Sequence, residues 1–410
     1  MNTIIKNIKE LICFEDKCFK GQDMKIKVIK DAFVKIKDNT IIDFGSMETW
    51  AGINDWNNVE IIDAENGIVM PCYCDSHTHL VFAKTREQEL TDRINGLTYE
   101  EIAAKGGGIL NSAQAINNIK EDKLYEISKS RLDKTIQSGT GAIEIKSGYG
   151  LSLENELKIL RVIKRLKKES NIIIKSTFLG AHAIPDEYKK DRKKYIDLII
   201  NTMIPEVAKE NLADFIDVFC EKNYFSTEET KNIIQAGQKH GMRSKIHVNQ
   251  FNIIGGVKLG VEENSISVDH LENINDEEIK MLAKSNTIAT LLPGCSFFLN
   301  INYANAKKMI KENVKVALAT DYNPGSSPTN NMNFILTLSC IKMGMSPEQA
   351  IIASTINSAY AMDVGNITGS INKGKKANLI ITKEIPSYKY IPYSFSENLI
   401  NKVLINGKII

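Results

Sequence analysis

Ile68-Val69-Met70-Pro71-Cys72-Tyr73-Cys74-Asp75-Ser76-His77-Thr78-His79 begins as an apolar, β-branched run and ends in two histidines spaced i, i+2. Such a run reads as a buried strand, and a strand turns residues i and i+2 to the same side. His77 and His79 can therefore reach one ion together. Imidazole suits zinc, iron and nickel, so the pair reads as half of a metal site. An isolated H-x-H is short, and a solvated strand end also carries it. The rest of the chain has to decide.

Working outward from that stretch, apolar runs alternate with amphipathic helical segments. Strands are expected at 68–77, 141–147, 172–182, 213–221, 244–248, 266–270, 287–294 and 316–321. Between them, Leu153, Leu157, Leu160 and Leu166 mark one stripe of a helix. Ser226-Thr227-Glu228-Glu229 reads as a capping box opening another. Alternating strands and helices imply a parallel sheet, and eight such strands imply a (β/α)8 TIM-like barrel. In that fold the C-terminal strand ends carry the active site. His77, His79, Lys146, Tyr149, His182, Glu221, His247, His270 and Asp321 all fall at or just past expected strand ends. His240 is the exception among the histidines; it fits a helix C-terminus, where a cation is favourable.

The flanks have a different rhythm. Residues 1–66 carry short, partly alternating β patterns at Ile4–Ile8, Met24–Ile29, Ala32–Ile36 and Thr40–Gly45. Residues 367–410 return to strand character. The expected organisation is a barrel over 67–366 and a small β-sandwich built from both chain ends, 1–66 and 367–410.

Composition narrows the class. The 410 residues are 43% hydrophobic and 25% charged, values of an ordinary globular chain with ample core. A formal net charge of +2 points to neither nucleic acid nor an anionic membrane. No apolar run approaches the roughly 20 residues that cross a bilayer. The seven cysteines include no C-x-x-C pair. Reduced thiols, and no leader pattern in Met1–Lys6, give the expectation of a cytoplasmic protein. Cys72 and Cys74 read as buried core thiols rather than a thiolate pair.

The metal set these residues suggest is His77, His79, His247 and Asp321, three neutral nitrogens and a carboxylate suited to zinc or iron(II). Such an ion lowers the pKa of a bound water towards about 7. His270 is placed to share in moving that water's proton, and Asp321 can be ligand and proton acceptor at once. Lys146 is expected to be solvated or ion-paired; a metal-bridging carbamate is the alternative. Glu221 either orients a histidine or is structural. Gly106-Gly107-Gly108 lacks the G-K-S/T of a P-loop and reads as a flexible loop, a helix end or a lid.

Longer motifs now add up. Asp75–Ala83 with Arg86 and Glu89, Glu144-Ile145-Lys146-Ser147-Gly148-Tyr149-Gly150-Leu151, Thr177–Ala183, Val218–Glu221, Asp269–Glu272, Leu291–Gly294 and Ala319-Thr320-Asp321-Tyr322-Asn323-Pro324-Gly325-Ser326 resemble the amidohydrolase superfamily and, within it, the imidazolonepropionase family. The resemblance covers nearly the whole chain. It implies a hydrolase opening the cyclic amide of 4-imidazolone-5-propanoate to N-formimidoyl-L-glutamate in histidine degradation, with one zinc or iron ion per subunit, in a homodimer. It implies metal ligation by His77, His79, His247 and Asp321. It places substrate contacts at Arg86, Tyr149, His182, Gln250, Asn323, Gly325 and Ser326, with His270 beside the reacting water. On this reading Arg86 pairs the propanoate and His182 polarises the ring carbonyl; without it, Arg86 reads as a surface ion pair with Glu87 or Glu89. The sequence departs from the family pattern at Cys72 (usually glycine), Lys84 (usually small) and Asn378 (usually aspartate).

Overall fold

The computed structural model describes residues 2–53 and 56–410. Met1, Asn54 and Asp55 lie outside that description. Eight parallel strands follow one another around a barrel: Tyr73–Asp75, Thr140–Lys146, Ile173–Ala181, Phe215–Cys220, Arg243–Val248, Ser267–His270, Ile288–Leu291 and Val316–Leu318. Their spatial order is their chain order, as right-handed βα repetition requires. Strands one and eight meet through Asp75, whose carboxylate accepts from Thr320 N (3.0 Å) and Thr320 Oγ1 (2.6 Å). Beyond the strands, Asp321 N donates to His77 O (3.0 Å) and His79 N to Tyr322 O (2.9 Å). These bonds draw the two ends of the sheet together at the level of the histidines.

The helices form as their patterns require. Leu153–Glu169 buries Leu157, Leu160 and Leu166, and the Ser226–Glu229 capping box is present. His240 caps the C-terminus of Thr227–Lys239 and is exposed. Among the described residues no helix is long and apolar enough to cross a membrane.

The chain ends share one eight-stranded mixed sheet around Ile5, Ile8, Leu11, Val34, Ile36, Leu379, Ile381 and Leu404. Two of its details differ from expectation. Of Met24–Ile29 only the residues from Lys27 on are strand, and they run on with Ala32–Ile36 in one strand, Lys27–Lys37, which passes through Asp31 at φ 44°. The run from Ile68 is two strands, because Ile68–Pro71 pairs with Leu379–Ile381 of the mixed sheet and only Tyr73–Asp75 enters the barrel. The hand-over is sharp: Cys72 N donates to Asn378 O (2.9 Å) and Tyr73 N to Gly139 O (3.0 Å). Cys72 finds room because Gly141 faces it; a Cβ at Gly141 would lie 2.6 Å from Cys72 Cβ.

Candidate active site

Strand geometry brings the expected ligands to one point. His77 and His79 follow strand one, His247 lies near the end of strand five, and Asp321 follows strand eight. Ligand atoms of the three histidines lie within 4.8 Å of one another, all buried. Asp321 Oδ1 is 3.6 Å from His77 Nε2 and 3.7 Å from His79 Nε2. The Nε2 atoms of His77 and His247 are buried with no hydrogen-bond partner. A buried nitrogen lone pair without a partner is costly, and two beside a carboxylate are what a divalent ion would satisfy. The donor set fits zinc or iron(II). Asp321 (φ 54°) and His270 (φ 89°) hold a positive-φ backbone, which aspartate and histidine adopt more readily than most residues; Leu271 (φ 68°) does so against its preference.

Beneath these residues lies a layer of charge. His77 Nδ1 is 2.7 Å from Asp269 Oδ2, and His247 Nδ1 is 2.9 Å from Asp217 Oδ2. The Asp269 bond orients the His77 ring, and Asp217 stands at ion-pair distance from His247 Nδ1, the side of each ring away from its unpartnered Nε2. Lys146 ties them together: its Nζ is 2.6 Å from Glu144, 2.8 Å from Asp217 and 3.6 Å from Asp269. Lys245 Nζ bonds Glu144 and donates to Ser76 O at 2.8 Å. All five side chains are wholly buried. Lys146 is therefore an ion-paired interior lysine, with no solvated face. Burial pulls its pKa down, but Asp217, Glu144 and Asp269 outweigh burial and raise it above the ordinary lysine value. That keeps it an ammonium and argues against a carbamate.

The cavity above is lined by His79, Arg86, Tyr149, His182, Gln250, His270, Asp321, Asn323 and Ser326, with Ile109 and Phe219 as apolar wall. Arg86 is buried, not a surface residue. Its Nε is 3.5 Å from Glu89 Oε2, while Glu87 bonds Thr85 instead. Its Nη1 is buried without a hydrogen-bond partner. The guanidinium lies against Gly325, where a Cβ would sit 1.1 Å from Nη2. Glu89 also accepts from Gly108 N at 2.8 Å, so the triple glycine opens the helix Gly108–Asn118 and delivers Ile109 to the wall. Lys84 is exposed.

Asn323 is spent on its own loop. It donates to Asp321 O (2.7 Å) and Ser326 Oγ (2.8 Å) and accepts from the N–H groups of Gly325 (2.8 Å) and Ser326 (2.7 Å). Glu221 touches no histidine. It accepts from Phe251 N (2.9 Å) and Asn252 N (3.2 Å), anchoring the loop that carries Gln250. Glu156, from the first helical turn after strand two, accepts from Gly148, Gly150 and Leu151 N–H groups at 2.7–3.1 Å and pins the loop bearing Tyr149.

Environment separates the histidines. Burial, with Lys146 nearby, holds His77 and His247 well below the ordinary imidazole pKa; burial and His182 do the same for His79. They stay neutral, the form in which an imidazole can bind a metal ion. His270 is opposite: burial lowers it, but the adjoining Glu272 carboxylate (3.2 Å), with Asp321 and Asp269, outweighs burial and raises it. Groups pushed apart in this way divide acid–base roles. His182 is lowered to about 4 by burial. Its Nδ1 must donate to Gly148 O (3.0 Å), so the neutral ring presents Nε2 as an acceptor. Polarising a carbonyl needs an N–H at Nε2, which this tautomer lacks; its Nε2 can only accept.

This sets an acid limit on the metal-free fold. An unfolded histidine takes a proton below about 6.5, while folded His182 refuses it down to about 4. Its contribution is therefore complete above about 6.5 and is lost as pH falls towards 4, up to roughly 3 kcal/mol. The urea midpoint of chelator-stripped protein is expected to fall across that window, and less steeply in His182→Gln. Equal slopes in the two proteins would remove this assignment.

Asp217, Lys245 and Glu156 went unremarked in the sequence, and Glu272 entered only as the end of a motif, with no role. The readable signal was period two: Glu144/Lys146 and Lys245/His247 place charges on the inward face of strands that are otherwise apolar.

Comparison with known proteins gives the family. The amidohydrolase family model matches residues 68–410. A Flavobacterium johnsoniae protein named imidazolonepropionase is 56% identical, with 100% of both chains covered. One of the same name from Clostridium tetani is 45% identical, covering 100% of this chain and 98% of that one. Among solved structures, an E. coli guanine deaminase superposes with a TM-score of 0.76 at 12% identity, covering 100% and 99% of the two chains. That likeness speaks to the barrel and its appended sheet only. The full-length sequence relatives are the finer evidence, and on them the chain belongs to the amidohydrolase family and, within it, to the imidazolonepropionases.

Proposed function

We propose that this site hydrolyses the cyclic amide C–N bond of 4-imidazolone-5-propanoate to give N-formimidoyl-L-glutamate, a step of L-histidine degradation. One observation carries the reading: Arg86 is a buried guanidinium with unused donors in the same cavity as His79, His247 and Asp321. A planar fork of donors matches a carboxylate, and the propanoate tail supplies one. A neutral purine offers no carboxylate to the donors that Glu89 leaves unused, Nη1 among them.

His77, His79, His247 and Asp321 would hold one zinc or iron ion per subunit. Bound there, the ion would supply Lewis acidity and lower the pKa of a water to about 7. The chain's own groups do the rest. Arg86 and Tyr149 fix the propanoate. His182 Nε2 accepts a ring N–H and sets the ring's orientation. Gln250 and Ser326 contact the ring and the product's ends, on surfaces shaped by Asn323 and Gly325. His270, with Asp321, takes the proton from the attacking water and returns it to the departing nitrogen. The family reading also gives a cytoplasmic homodimer and the division 1–66, 67–366 and 367–410; sedimentation tests the dimer.

The direct test follows the absorbance of freshly prepared imidazolone propanoate, with metal analysis of the same sample. Turnover with about one ion per chain supports the reading. Activity on guanine with none on imidazolone propanoate overturns it. Arg86→Ala is expected to raise KM by roughly 10- to 100-fold, from about 1.5–3 kcal/mol per charge-assisted bond lost, with metal content unchanged. Gly325→Ala should move KM the same way, because its Cβ would displace the guanidinium. An unchanged KM in both variants removes Arg86 from substrate binding.

A further inference from the structure

A second group of metal-ligating atoms adjoins the first and shares no residue with it. His270, Glu272 and Cys295 are all buried, with ligand atoms within 4.8 Å of one another. His270 Nδ1 and Glu272 Oε1 are 3.2 Å apart. Tetrahedral zinc, with N and O legs of about 2.0–2.2 Å, sets such donors about 3.3 Å apart. Glu272 Oε2 is buried with no hydrogen-bond partner. Its other oxygen has Ser296 Oγ at 3.5 Å, and Cys295 Sγ has Gln250 Nε2 at 3.3 Å. A carboxylate, an imidazole and a thiol at this spacing favour a thiophilic divalent ion such as zinc or cadmium.

We propose that His270, Glu272 and Cys295 form an inhibitory site for a second thiophilic divalent ion. When the ion binds, the S–H bond of Cys295 breaks, an S–metal bond forms and the thiol proton leaves to the medium. The ion also takes the place of the proton between His270 Nδ1 and Glu272. The imidazole keeps one proton, now on Nε2, and can no longer accept one there. Inhibition rests on the role given to His270 under the proposed function; the site itself does not.

The test titrates the one-metal holoenzyme with cadmium at mildly alkaline pH, reading three signals. These are metal stoichiometry, the near-ultraviolet thiolate-to-metal absorption and turnover. The first ligand set contains no sulfur, so a thiolate band cannot come from it. The expected result is a second equivalent bound with a thiolate band, one proton released and turnover lost in parallel. Cys295→Ala and Cys295→Ser should both lose the band and the second equivalent, keep the first ion and resist cadmium. A band that persists in both variants, or no second equivalent in the wild type, overturns the site. A Cys295-dependent band without loss of turnover upholds the site and overturns the role of His270.

Discussion

His247→Ala is expected to lose its metal and its activity together. The ring contributes one of three buried nitrogens that converge with Asp321, and its Nε2 has no other partner. Removing it leaves His77, His79 and Asp321 facing an open side, and leaves Asp217 Oδ2 without the Nδ1 that stood 2.9 Å away. Outer-shell changes alone cost about 10- to 100-fold in metal affinity, so loss of a ligand should exceed that. The bound ion is worth several kcal/mol of transition-state stabilisation, and each 1.36 kcal/mol is about tenfold in rate. Turnover should therefore fall by roughly 1,000-fold or more. Metal analysis after desalting and the absorbance assay read both effects. Asp217→Asn is the graded companion: it keeps the ring but weakens its orientation, and should fall between wild type and His247→Ala. Full metal occupancy in His247→Ala would reject the ligand set.

The barrel and the cluster of polar residues at its strand ends were legible because both rest on local periodicity. Apolar runs separated by helical stripes gave the eight strands, and polar residues at their ends gave His77, His79, His247, His270 and Asp321. What stayed hidden depends on contacts remote in sequence. Nothing near Ile68 says that its partner is Leu379–Ile381, so a run that serves two sheets looks like one strand. Arg86 sits beside Glu87 and Glu89, and local reading makes that a surface cluster. Its burial depends on Gly325, far along the chain. The histidine-orienting option for Glu221 failed for a similar reason: its partners are backbone N–H groups of another loop, which no side-chain motif encodes. The tautomer of His182 is decided by one carbonyl, Gly148 O, and reverses the role that the resemblance suggested for its Nε2.

Lys146→Met should be the most destabilising single change in the barrel. It replaces a buried ammonium by a side chain of similar length without charge, and so leaves Glu144, Asp217 and Asp269 with only Lys245 among them. Breaking a buried ion pair from one side costs about 3–5 kcal/mol, because the partner charges stay in a low-dielectric interior. Here one cation bridges several carboxylates, two of which hold His77 and His247 in register. Stability and metal affinity should therefore fall in the same variant. Lys146→Arg should not rescue it, since the planar guanidinium is larger and differently shaped, and Lys146 has no exposed surface into which it can expand. Urea unfolding of metal-free protein isolates the first effect, and a competitive chelator titration the second. An unchanged midpoint would reject the Lys146 ion pairs as a source of stability. A lowered midpoint with unchanged metal affinity would confine Lys146 to the core and leave Asp217 and Asp269 to orient the histidines unaided.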